Sequence, residues 1–479
     1  MRSTIAVACV PVALALVTFF ASTRRLPPSG DEPHYLIMAD SIASDFDLDL
    51  HNNYLNDFNT HRIIGLTIPH VYNVERGWMP GHEPGLSILI ALPFKIGGIS
   101  GARLGLCLFA GLLPWSLFVW FHSRLRNSAV DDRAAVSTAA WLTLGLTISV
   151  PICFGAEEIY GDLVAGAIAT SLLLHVLRAL DENRPTWAWA LFWLTAGLFP
   201  WLHAKFALTT VILACAGAGA LWRRRLVAPP GSTVRAMVAA PLVVLGPALL
   251  VSFNTWASGS PLGFRHANEL TTSFARGAEI FLGLHFDQSQ GMFVQQPLLL
   301  AGVLALPMFA RRHRGLALLW GLVYLSLILP NALELTRYGG DGPDGRFSWS
   351  AAWLWAVPIG FVVAEHHDRL ARWVGRAAIA GWIYQAALAA RWLRAPDLLF
   401  PTIDEGLQAR DSLFPVAWHA RLPSYYFWDF SSYWTYRPNV LAMVLVAALL
   451  VIGVRAARNP LLLQSPSPLV PQAPSPPAP

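Results

Sequence analysis

Charge is what this sequence has least of. Of 479 residues only 13% are Asp, Glu, Lys or Arg, against 55% hydrophobic residues. A soluble protein usually carries about a quarter charged residues. Half that share cannot cover a water-soluble globule of this length, and apolar residues are far too many for a disordered chain. Cysteine is scarce as well. Cys9, Cys107, Cys153 and Cys215 all sit inside apolar runs, which excludes a secreted disulfide scaffold. No Rossmann glycine fingerprint, Walker loop or internal repeat occurs. The class left is a polytopic, all-α membrane protein.

The formal net charge is +5. The basic residues fall in short clusters between apolar runs, a pattern of membrane orientation, so no nucleic-acid partner is expected. Twenty tryptophans fit many helix ends at membrane–water interfaces. A spanning helix needs about 20 apolar residues. Such runs occur at 5–21, 102–121, 134–154, 163–180, 187–201, 206–222, 237–256, 293–310, 316–333, 349–364, 376–390 and 440–454. The expectation is about twelve transmembrane helices with both termini cytoplasmic, in a bacterial cytoplasmic (inner) membrane. In that register Arg124, Arg126 and Arg133, then Arg223–Arg225, Arg311, Arg312 and Arg314, Arg369, Arg372 and Arg376, and Arg455 and Arg458 all lie inside. The shorter apolar run 86–96, broken by Pro93 and Lys95, is read as an interfacial or re-entrant helix. Three long segments then lie outside: 24–103, 257–292 and 391–436. The membrane domain is expected over 1–459, and the Pro/Ser-rich 460–479 as a disordered cytoplasmic tail.

The candidate chemistry sits in the outer segments. Asp31 and Glu32 follow the first helix and precede Pro33, at the start of a helix whose Tyr35, Met38, Ala39 and Ile42 recur at helical spacing. The helix dipole favours their ionised forms there. An N-cap is the plain alternative for Asp31, but the long loop around it, 24–103, needs a reason. The alternating acids of 45–54 lack the glycine and closing glutamate of a calcium loop. They read as a solvated, structured loop. His82 and Glu83 suit a metal or a phosphate, or only a polar loop. Glu158 and Asp162 share one helix face, and Asp162 leads into a membrane helix, where acids are costly. Lys205 stands at an outer helix end, either snorkelling or facing a lipid phosphate. Arg337 and Arg346 flank a Gly-rich loop, and arginine suits bidentate phosphate binding.

Taken in order, Gly30-Asp31-Glu32-Pro33-His34-Tyr35, His82-Glu83-Pro84-Gly85-Leu86, Ile159-Tyr160-Gly161-Asp162-Leu163, Pro200-Trp201-Leu202-His203 and the Arg346 loop resemble the GT-C superfamily of integral-membrane glycosyltransferases. The likeness is to its bacterial protein O-mannosyltransferase and aminoarabinose-transferase branch. The resemblance implies a GT-C-like membrane domain, with amphipathic juxtamembrane helices in the first outer loop. It implies a polyprenyl-phosphate sugar donor and a glycan, lipid or protein acceptor in the cell envelope. It implies Asp31 as catalytic base, with Glu32, Glu158 and Asp162 as assisting or acceptor-binding carboxylates. The family usually has Glu after Pro where this chain has Gly161-Asp162, and often Lys near His82-Glu83-Pro84. Donor phosphate binding is therefore assigned to Lys205, Arg337, Arg346 and His82. No residue is assigned as a metal ligand and no cofactor is required, although a divalent metal is compatible. Two other readings share these residues: a transporter or flippase of lipid-linked sugars, and a non-catalytic scaffold in envelope assembly. A transporter would carry polar groups at mid-membrane helix breaks, whereas the acids here cluster at outer ends.

Overall fold

The computed structural model describes residues 2–22, 27–63, 68–74, 77–225, 231–261, 263, 270–334, 338, 344–394, 414–425 and 433–459. Among these, eight stretches are long and apolar enough to cross a bilayer: Ser3–Ala21, Gly85–Asn127, Gly161–Asp181, Ala204–Arg224, Ser232–Ser258, Arg314–Ala332, Arg346–Glu365 and Arg437–Arg458. The chain is thus a helical, multi-pass membrane protein. Four further expected spans fold as helices that do not meet the same test. Asp132–Thr147, Thr186–Leu198 and Leu300–Arg312 have 16, 13 and 13 residues. His367–Trp392 is long, but its first half carries Asp368, Arg369, Arg372 and Arg376. Length and composition therefore license eight crossings, against the expected twelve. The 460–479 tail lies outside the described residues.

Helix α1 (Arg2–Ser22) leads to α2 (Glu32–Ser44) and α3 (His51–Thr60). Strands β1 (Val71–Val74) and β2 (Gly77–Pro80) pair antiparallel, with Val71 opposite Pro80. Next come α4 (Gly85–Phe109), α5 (Leu112–Asn127) and α6 (Asp132–Thr147). The expectation of a surface-lying amphipathic helix fails for α2. Leu36, Ile37, Met38 and Ala39 are all at most 1% exposed, so apolar residues fill every side of it. Packing against α4 encloses one flank, and α3 covers another. The polar residues caught in this burial are paired. Asp40 holds Arg62 at 3.0 Å, and Ser41 Oγ donates to Asp47 Oδ1 at 2.9 Å. The 45–54 acids are likewise spent on structure: Asp45 accepts from Asn52 and Asn53, and Asp49 from the Trp78 amide.

The 86–96 run forms the first half of α4. The backbone leaves helical geometry at Gly97 and Gly98, where φ of Gly98 is +59°. Past that break the chain doubles back, so a side chain at Gly101 or Gly105 would run into Pro93. One hydrophobic core then joins α1, α2, α4 and α5 to the later helices. Arg346–Glu365 is its fully enclosed centre, while Ser3–Ala21 and Arg437–Arg458 lie at the periphery with most of their surface free for lipid.

One end of the bundle collects the basic clusters. Arg312 Nη1 reaches Glu365 at 2.6 Å, and Arg124 lies 3.6 Å from Glu365 and 3.7 Å from Asp181. Arg224 donates to Asn183 at 2.7 Å. Helix Gly161–Asp181 carries Asp181 at this end and Asp162 at the other. At 1.5 Å per residue its 21 residues separate them by about 30 Å, the thickness of a bilayer core.

Candidate functional site

The end opposite the arginine network holds the polar residues singled out from the sequence. Asp31 occupies the N-cap position of α2 but makes no side-chain capping bond. The first turn is held by main chain instead: the amides of His34 and Tyr35 donate to the Asp31 carbonyl at 3.1 and 3.3 Å. Its carboxylate is thereby left for other partners. Arg346 Nη2 lies 3.7 Å from Oδ2, while His70 Nδ1 and His82 Nε2 lie 3.9 and 3.8 Å from Oδ1. Burial alone would raise the pKa of this carboxyl. The positive field of His82, Arg346, His70 and His34 outweighs that cost and holds it below the ordinary value.

The two histidines are brought together by strand pairing. Register places Val71 opposite Pro80, so His70 and His82 flank the open end of the hairpin, and the Gly81 amide donates to the His70 carbonyl at 2.8 Å. His70 Nδ1 and His82 Nε2 share a hydrogen bond of 3.2 Å. The His34 ring stacks on His70 with centroids 3.6 Å apart, and Tyr54 Oη bonds His34 Nδ1 at 2.7 Å. Sequence reasoning missed His34 and His70. A signal was present: two histidines twelve residues apart bracketing a short run of strand-forming residues.

Glu32, one residue along, points the other way. It is fully buried, 3.3 Å from Arg103, and accepts from the Ile159 and Ser29 amides at 2.7 and 3.0 Å. Glu158 is buried beside this pair and hydrogen-bonds Glu32. Burial above all, and then the Glu32 charge, push its pKa well above the ordinary value of 4.5. Both carboxylates thus tie the 154–160 segment to α2 and α4, and neither lies among the groups around Asp31.

Arg346 is placed from behind by a buried polar network. Gly345 has φ of +80°, open to glycine, and a side chain there would strike the Gln295 amide. The Gly345 amide donates to Gln290 Oε1 at 2.7 Å, Gln295 Nε2 donates to the Asp344 carbonyl at 2.7 Å, and Trp349 Nε1 donates to Gln295 Oε1 at 2.8 Å. From this platform the guanidinium lies 4.0 Å over the Tyr160 ring. Tyr160 donates in turn to the Ser29 carbonyl at 3.0 Å. Lys205 Nζ lies 3.2 Å from Asp162 Oδ1 and 4.6 Å from the Phe347 ring, the neighbour of Arg346. Arg337 lies outside the described residues. Asp31, Asp162, Lys205, Arg346 and His82 thus form one cluster.

An apolar cavity of about 870 Å³ runs from the neighbourhood of this cluster toward the arginine end. Gly85, Trp201 and Leu202 line it near the cluster, Val164 and Ile168 midway, and Arg178 and Arg184 at the far end. Glu83 Oε1 accepts from the Ala204 amide at 3.1 Å, joining the segment before Gly85 to the one after Leu202.

Fold and composition define a helical membrane protein with an arginine network at one end of the bundle and the Asp31 cluster at the other. No protein-family model matches the sequence, and no curated protein does. Among solved structures, the chain is similar to ArnT from Cupriavidus metallidurans bound to undecaprenyl phosphate, with 17% identity, covering 95% of this chain and 73% of that one, at a TM-score of 0.44.

Proposed function

We propose that the protein is a membrane glycosyltransferase. It moves a sugar from a polyprenyl-phosphate donor to an acceptor hydroxyl at the outer face of the bacterial cytoplasmic membrane, with both termini cytoplasmic. The observation that carries this reading is the meeting of an uncapped, ionised Asp31 with Arg346, near an apolar cavity that extends from Gly85, Trp201 and Leu202 to Arg178 and Arg184. A lipid-borne donor calls for that combination: a hydrocarbon channel ending in cations, with a base among them.

In this reaction Asp31 accepts the proton of the acceptor hydroxyl while its oxygen attacks the anomeric carbon. The bond from that carbon to the donor phosphate breaks, and the electron pair leaves with the phosphate, inverting the centre. A carboxylate held at low pKa is a weak base for a free alcohol, so proton transfer is late, when the attacking oxygen is already acidic. The leaving phosphate needs cations and no general acid. Arg346 supplies a planar fork, and Lys205 a second positive charge once it exchanges Asp162 for phosphate.

The test uses purified protein in lipid nanodiscs with a panel of polyprenyl-phosphate sugars and acceptor lipids, glycans and peptides, following transfer of labelled sugar. Transfer by the wild type, and none by Asp31→Asn, is expected. A transporter would move the lipid-linked sugar across vesicles without covalent transfer, and would do so in Asp31→Asn too. Labelling of residue 31 from the cytosolic side would also sink the proposal.

A further inference from the structure

We propose that the groove between α6 and the helices Leu300–Arg312, Arg346–Glu365, His367–Trp392 and Arg437–Arg458 holds one anionic phospholipid, its acyl chain along the groove and its phosphate on Arg369 and Arg372. The groove has a volume of about 440 Å³. Leu142, Met308, Val362, Leu370 and Ile452 give it apolar walls from all five helices, while His366 and Arg369 stand at one end. It shares no lining residue with the 870 Å³ cavity, so its occupant is distinct from a lipid held there.

Its length is that of one leaflet. Arg369 and Ala378 both line it, nine residues apart on one helix, which separates them by about 14 Å. Half of a bilayer's hydrocarbon core is about 15 Å. The deep end is closed by Leu298, which a side chain at Gly145 or Gly381 would meet. The shallow end lies at the arginine end of the bundle, since His366 follows the Glu365 that holds Arg312 and Arg124. Trp373 lines the groove one turn in from Arg369, half-exposed, with Arg376 4.9 Å from its ring centroid. An amphipathic ring beside a cation suits the boundary between acyl chains and head groups.

Charge selects the head group. At this end of the bundle Arg312 and Arg124 are neutralised by Glu365, and Arg178 by Glu182 at 2.6 Å. Arg369 and Arg372 are exposed and make no ion pair among the described residues. They lie three apart, on one helix face. Their helix carries a single acid, Asp368, which is fully exposed and sits beside His367. Arg455 and Arg458 flank Ala456, which lines the groove from the last helix. Guanidinium groups therefore outnumber carboxylates at the shallow end, and a phosphodiester can engage two of them in forked contacts. A zwitterionic head group brings a positive charge back to the same place, so the site favours a net anionic lipid.

The site does not depend on the transferase reading, and its test is lipid binding itself. Full-length protein in mild detergent is titrated with phosphatidylglycerol or with phosphatidylcholine of the same chains, and bound lipid is counted by native mass spectrometry. One phosphatidylglycerol is expected to bind, about tenfold or more tighter than phosphatidylcholine. Arg369→Gln/Arg372→Gln should weaken phosphatidylglycerol binding about 30-fold, roughly fivefold per arginine, and leave phosphatidylcholine where it was. Ala301→Trp/Ala377→Trp fills the groove from two exposed positions on its wall and should remove the bound lipid, with the thermal unfolding midpoint confirming an intact fold. Arg223→Gln, an exposed arginine away from the groove, should bind as wild type does. Equal affinity for the two lipids overturns the proposal, as does wild-type phosphatidylglycerol binding in either double variant. Displacement of the lipid by excess inorganic phosphate would overturn it too, since the arginines would then hold the anion without the chain.

Discussion

Arg346 Nη2 lies 3.7 Å from Asp31 Oδ2, bringing the start of one of the last membrane helices to the residue that follows the first. The same guanidinium covers the face of Tyr160. Three distant segments therefore meet at one carboxylate, held as an anion by the cations around it.

Asp31→Asn is expected to reduce sugar transfer by at least about 100-fold, the usual share of a positioned base. Because the side chain makes no capping bond, the thermal unfolding midpoint should hardly move. A variant that keeps wild-type turnover removes Asp31 from the chemistry.

Arg346→Gln and Lys205→Met address the donor. Each removes one positive charge from the cluster around Asp31, and the apparent KM for the lipid-linked donor should rise about tenfold or more, as befits a charge-assisted bond of roughly 1.5–3 kcal/mol. Steady-state kinetics with donor varied at fixed acceptor checks this. An unchanged donor KM in both variants would take phosphate binding away from this pair.

Arg103→Met should damage stability rather than catalysis. It leaves Glu32 buried and without its 3.3 Å partner, a loss of about 3–5 kcal/mol. Glu32→Gln added to it should recover a large part of the unfolding midpoint. Measured by thermal unfolding in detergent, a single variant as stable as wild type would contradict a structural role for the pair.

Glu158 gives a pH dependence with a definite sign. Its pKa in the folded chain is raised, by burial first and by Glu32 next, above the 4.5 of the unfolded chain. The folded protein thus keeps a proton that the unfolded chain has lost, so this group's contribution to stability falls as pH rises from about 4.5 toward the folded pKa. Glu158→Gln carries no such proton and should lose less stability between pH 5 and pH 8 than wild type, by about 1.4 kcal/mol for each unit of the raised pKa crossed. Unfolding midpoints taken across that range decide it, with parallel curves as the contrary result.

Ile168→Trp fills the middle of the apolar cavity. Turnover of a long-chain polyprenyl donor should fall, while a donor analogue with a truncated lipid should react nearly as well as with wild type. Equal loss with both donors would show that the lipid does not lie there.

Much of this was legible in the chain itself. The shortage of charge defines a membrane protein, and Arg124, Arg224 and Arg312 do gather at one end of the bundle. Asp31, Asp162, Lys205 and Arg346 were recognisable because carboxylates and cations stand out where apolar helices begin. The histidine pair was harder to see, since its one signal is two histidines bracketing strand-forming residues, and only strand register brings His70 to His82. The platform of Gln290, Gln295 and Asp344 under Arg346 was equally hidden, because amides in an outer segment look like ordinary loop residues until burial makes their hydrogen bonds obligatory.

What the sequence determined alone was the solvent the protein lives in and the place where its ionisable groups concentrate, since both follow from composition along a line. What tertiary structure decided was which of two adjacent acids joins the cluster around Arg346. Neighbouring residues at a helix start project about 100° apart. That rotation sends Glu32 inward to Arg103 and leaves Asp31 to Arg346 and the histidines, and no local pattern could say which partners, folded in from elsewhere in the chain, would be waiting on each side.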